Sequence, residues 1–75
     1  MNNVDYDKIA KELQELINPI IFYYENDEDH IRISLETQEN IEEQLEQFFK
    51  QNNLSFDYAI VKRDNKRYII VAWEE

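Results

Sequence analysis

The chain contains no glycine and no cysteine, one proline and one histidine in seventy-five residues. Each scarcity removes a class of structure or chemistry. Without cysteine there is neither a disulfide framework nor a zinc–thiolate site, so stability must come from packing, with self-association as the remaining supplement. Without glycine, turns that need a positive φ must use asparagine or aspartate, the next most tolerant residues. Asn26, Asn52, Asn53 and Asn65 stand where turns are expected. A phosphate-cradling glycine loop is excluded on the same ground. A nucleophile–base pair would have to join His30 to Ser34 or Ser55. On one strand, His30 and Ser34 share a face, but a rise of about 3.3 Å per residue holds them roughly 13 Å apart. The sequence predicts no catalytic residue, no cofactor and no enzyme.

Long apolar runs are missing as well. No stretch is long enough to span a bilayer. The opening MNNVDYDKIA lacks the basic and apolar regions of a signal peptide, so the expectation is a cytoplasmic protein with no membrane partner. Basic residues are scarce: eight against seventeen acids, for a formal charge of −9. That balance opposes direct contact with nucleic acid, whose affinity comes largely from Lys and Arg on phosphates. It favours solubility and attraction to basic surfaces. The Asn, Ile, Lys and Glu bias would suit an AT-rich source such as a Gram-positive bacterium or its phage.

Ile, Phe and Tyr are plentiful and supply the bulk for a core. Seventy-five residues make one domain, 1–75, near the lower limit of self-sufficient folding. Residues 1–3 read as a loose end. Asp5 can cap a helix whose stripe is Tyr6, Ile9, Leu13, Leu16 and Ile17, ended by Asn18-Pro19. Ile20 to Tyr24 reads as a strand, Glu25 to Asp29 as a turn, and His30 to Glu36 as a second strand with Ile31, Ile33 and Leu35 on one face.

Thr37 suits the N-cap of a second helix running to Lys50, with Ile41, Leu45, Phe48 and Phe49 inward. Asn52 or Asn53 can supply a left-handed stop. Phe56 to Lys62 and Arg67 to Glu74 are then two strands around an Asp64-Asn65 tight turn.

The order is α-β-β-α-β-β, in units 4–36 and 37–75, and a constant offset between the two helical stripes raises an internal αββ duplication. The expected fold is a two-layer α+β sandwich, a four-stranded antiparallel sheet with both helices on one face. Strand four is apolar on both sides and belongs inside the sheet, giving the order 1-2-4-3. The two hairpin tips should lie at opposite ends.

Three features are candidates for function. Glu39, Glu42, Glu43 and Glu46 would project from the second helix, opposite its apolar stripe. Like charges one turn apart cost about 0.2–0.5 kcal/mol per pair, a local rule broken without local gain. With Glu25, Asp27, Glu28 and Asp29 they could meet a basic partner, as an inhibitor or nucleic-acid mimic does; a solvated face is the plainer reading. Second, the hairpin tips are opposite in charge, the later one carrying Lys62, Arg63, Lys66 and Arg67.

Third, strand four cannot hide both of its faces. Either Ile69, Val71 and Trp73 or Tyr68, Ile70 and Ala72 must remain on the open side, a surface suited to a homodimer or an accessory subunit. Asp27, Glu28, Asp29 and His30 lack the sixth-position glycine and distal glutamate of a calcium loop, so no metal is expected. A protein partner with a basic surface is the leading expectation, and the apolar sheet face is its alternative.

Overall fold

Asp5 starts the first helix by satisfying an amide that the helix cannot. In the computed structural model, which describes residues 4–74, Asp5 Oδ1 accepts the Lys8 backbone N–H at 3.1 Å. Helix α1 then runs Tyr6–Ile17 and buries Tyr6, Ile9, Ala10, Leu13 and Ile17. Leu16, expected in that stripe, is 50% exposed. At 3.6 residues per turn it lies roughly 75° from the centre of the buried residues, farther than any of them, whereas Ala10, which the apolar pattern passed over, lies roughly 45° from it. Asn18 ends the helix in the left-handed region, at φ 51° and ψ 56°, with its N–H bonded to Gln14 O. Residues 1–3, read as a loose end, lie outside the described residues.

The sheet consists of β1 (Ile21–Asn26), β2 (His30–Thr37), β3 (Leu54–Lys62) and β4 (Lys66–Glu74), all antiparallel, in the order β1-β2-β4-β3. This is the expected α+β fold, with the most apolar strand inside. Register then assigns every side chain to a face. Leu35 pairs with Phe22 and Tyr68, Ile33 with Tyr24 and Ile70, and Ile31 with Ala72. These residues face the helices. Ile31, Ile33, Leu35, Tyr68, Ile70 and Ala72 are fully buried. Phe49 closes the core over β3, its ring 4.8 Å from that of Phe56.

Helix α2 (Glu42–Gln51) begins later than the sequence suggests. Thr37 is not its N-cap. It is the buried last residue of β2, paired with Lys66, and its Oγ1 accepts the Glu39 N–H at 3.3 Å in a local turn. Ile41 occupies the cap position with no side-chain bond of its own. A residue from the sheet serves instead: the hydroxyl of Tyr68 accepts the Ile41 N–H at 3.3 Å and donates to Glu42 Oε1 at 2.8 Å. The helix ends at Asn52, whose side chain bonds Phe48 O at 2.8 Å, and at Asn53, left-handed at φ 58°.

The halves therefore match in element order but less well in detail. Ile9 lies within α1 while Ile41 precedes α2, and Leu16 is exposed where Phe48 is buried.

Both hairpins close through three-residue loops, 27–29 and 63–65. The first is shorter than the expected five-residue turn, because Glu25 and Asn26 still pair with Arg32 and Ile31. The second is longer than the expected Asp64-Asn65 pair. Lys62 pairs with Lys66, Arg63 N–H bonds Asn65 O at 3.2 Å, and Asn65 needs no positive φ.

Candidate interaction surface

The open face of the sheet is a grid of four rows. Reading across β1, β2, β4 and β3, the first row is Ile21, Glu36, Arg67 and Val61, and the second is Tyr23, Ser34, Ile69 and Ala59. The third is Glu25, Arg32, Val71 and Asp57; the last holds His30, Trp73 and Ser55 on β2, β4 and β3. Of the two sets that strand four offered, Ile69, Val71 and Trp73 take this side. Their β2 neighbours are polar because the clean alternation of that strand sends Ile31, Ile33 and Leu35 the other way.

Among the described residues no element covers this face, and Ile69, Val71 and Trp73 are each only partly exposed, shielded by their own neighbours. Tyr23 is 70% exposed and Val61 41%. Ile21 and Tyr23 complete the apolar patch. Neither is among the residues expected on this face, although the alternation of β1 against Phe22 places both there.

Charge frames the patch unequally. Pairing of His30 with Trp73 and of Thr37 with Lys66 sets the two hairpin loops at opposite ends of the sheet, as expected. Around the first loop stand Glu25, Asp27, Glu28 and Asp29. The fold adds Asp7, whose carboxylate accepts from the Tyr24 hydroxyl and from Asn26 Nδ2, along with Asp5 and Glu74. The hydrogen bond from Tyr24 and then that from Asn26 hold the Asp7 carboxyl below its usual value, and the same contact raises the Tyr24 hydroxyl. A groove of about 710 Å³ opens at this end, where Trp73 and Val71 meet Asp27, His30 and Glu74. His30 Nε2 lies 3.2 Å from Asp27 Oδ2. At the other end Arg67 pairs with Glu36 at 2.9 Å beside Lys62, Arg63 and Lys66.

The expected helical row of carboxylates is not assembled. Glu39 lies in the loop before α2, so it does not stand one turn from Glu43. Glu42 turns inward to Tyr68. Its own backbone N–H, then the Tyr68 hydroxyl, then Lys66 and Lys62 hold its carboxyl below the usual range. Of these four glutamates, only Glu43 and Glu46 are exposed on α2. Because Ile41 is bonded to Tyr68, Glu42 sits near the row of Leu35, five residue steps of β2 and roughly 17 Å from His30, while Glu46 lies farther along α2 beside Leu54, Ser55 and Phe56. The eight acids do not form one surface.

His30 and Ser34 both stand on the open face of β2, and His30 and Ser55 share a row with β4 between them, about 9–10 Å apart. No helix of the described residues is long and apolar enough to cross a membrane. No family model, curated protein or solved structure matches the chain, so the reading of this surface rests on its own chemistry.

Proposed function

We propose that this chain is a non-enzymatic protein-interaction module that docks its partner on the open face of the sheet. One observation carries the reading. Both helices pack on the same side, and the other side presents Ile21, Tyr23, Ile69, Val71, Trp73 and Val61 with no described element over them. An apolar strip on β4 and β3, with Ile21 and Tyr23 across the polar row of β2, gains free energy when covered, at about 25 cal/mol per Å² of apolar area removed from water.

The frame specifies the partner's chemistry. It presents an apolar strip, with cations set toward the Trp73 end and anions toward the Arg67 end. The reading as an acidic inhibitor or nucleic-acid mimic, working through Glu39, Glu42, Glu43 and Glu46 with Glu25 to Asp29, has less support. Glu39 lies off the helix, Glu25 stands on the open face of the sheet away from α2, and Glu42 is held by Tyr68.

Charge substitution separates the two. Val71→Lys should abolish partner binding while Glu43→Lys with Glu46→Lys leaves it intact. The reverse pattern, with a steep salt dependence, would transfer the function to the acidic helix.

A further inference from the structure

We propose that the occupant of the open face is a second copy of this chain, stacked face to face with its strands reversed. This rests on the reading of that face as the docking surface and commits it to one partner. The partner must present an apolar strip with a basic end facing Trp73 and an acidic end facing Arg67. The chain itself presents such a surface when turned end for end.

The register makes the match specific. On β4 the outward residues are Arg67, Ile69, Val71 and Trp73, placed symmetrically about Ile70. On β2 they are His30, Arg32, Ser34 and Glu36, symmetric about Ile33, the residue paired with Ile70. Tyr24 of β1 pairs with Ile33, and Tyr58 of β3 pairs with Ile70. All four strands therefore share one midline. A two-fold axis lying between two sheets along that midline sets each strand over its own copy, reversed, with no strand out of step.

Sheets stacked this way lie about 10 Å apart with their inner side chains interdigitated. At the centre Ile69 meets Val71 of the second copy, twice by symmetry. At each end Arg67 meets Trp73 of the second copy, a cation–π partner for an indole face when within about 6 Å. The loop 63–65, flanked by Lys62 and Lys66, comes over the Leu54–Glu74 end of β3 and β4, which brings its basic charge to the acidic end of the second copy. The alternative two-fold, along the strands, would set acid on acid and base on base. Charge therefore selects the reversed arrangement.

The size is adequate and modest. Four strands at about 4.8 Å spacing and a strand length of roughly 23 Å give a projected area near 450 Å² per copy. Side-chain relief and the overlapping loops raise the total to about 1,000–1,200 Å², the lower edge of specific interfaces, so dissociation in roughly the micromolar range is expected. The formal charge of −9 on each copy acts in the same direction.

Sedimentation equilibrium of the full chain from about 1 µM to 1 mM tests this. The mass should rise from that of a monomer toward that of a dimer. Val71→Lys should weaken association at least about tenfold, while Glu43→Lys on the helical side leaves it unchanged. Arg63→Glu and Glu74→Lys should each weaken it, and the two in one chain should restore it to within about twofold, because each new charge then faces its opposite.

A monomer throughout the range overturns the second copy as occupant and leaves the face to a different protein. A dimer indifferent to Val71→Lys, as an edge-to-edge pairing of β3 would be, overturns both this assignment and the docking face itself. A dimer weakened by Val71→Lys but not rescued by the double swap overturns the reversed arrangement. Should Val71→Lys fail to fold, as read by circular dichroism, the Arg63 and Glu74 swaps still decide.

Discussion

Tyr68 is the residue on which the two layers are joined. Its ring is fully buried, and its hydroxyl is placed where α2 lacks a capping side chain. Burial, more than its bond to the Glu42 carboxylate, raises its ionisation above the ordinary value of 10.0. Tyr68→Phe keeps the ring but leaves the Ile41 N–H and the Glu42 carboxylate without this partner. The expected cost is about 1–3 kcal/mol in urea unfolding, the penalty for a buried donor deprived of its acceptor.

The acid side of the same contact gives a pH dependence with a definite sign. Glu42 titrates below its unfolded value of 4.5 in the fold, so its contribution is present above that pH and is lost as pH falls. The stability gap between wild type and Glu42→Gln should therefore be full near neutrality and narrow progressively below pH 4.5. A gap that widens on acidification would contradict the contact. For Tyr68 the sign is opposite: its contribution is present below pH 10.0 and is lost as pH rises above it.

At the scale of elements, much of the fold was legible. The β2 alternation, the apolar stretch of β4 and the α1 stripe gave element order, strand order and the position of the core. What the sequence obscured has physical causes. Thr37-Gln-Glu39 is a good helix start by composition, yet the same hydroxyl that caps a helix also closes the turn after a strand. The actual cap comes from Tyr68, 27 positions away, and no local pattern announces it.

The row of helical glutamates failed for the same reason, since its spacing presumed a helix from residue 37. The face of β4 was undecidable alone and was settled by its pairing with β2. Leu16 is the sharpest local test. Leu16→Ala should change stability by less than about 1 kcal/mol, while Leu13→Ala should cost about 2–5 kcal/mol because it empties a fully buried site. The left-handed stops give a further contrast. Asn18→Gly or Asn53→Gly should be tolerated, whereas Asn18→Val should cost about 1–2 kcal/mol, since β-branching is disfavoured at φ 51°. Thermal or urea unfolding of these variants reads both comparisons.

For the whole molecule, the governing feature is a sheet with one covered side and one uncovered side, polar in charge along its length. A short chain without cysteine has few ways to add stability, and covering the second side is the one this fold leaves open. Association and stability should therefore be linked. Unfolding midpoints should rise with protein concentration in the wild type and stay constant in Val71→Lys.

The most direct measurement uses Trp73, the only tryptophan in the chain, which stands at the end of the patch. Acrylamide is uncharged, so the acidic groove does not repel it, and its quenching of Trp73 fluorescence reports access to the open face. Access should fall as concentration rises through the range of association, and Val71→Lys should remove that fall. Quenching that is equal at all concentrations, with Trp73 as accessible in the wild type as in Val71→Lys, would contradict the burial of this face by a second copy.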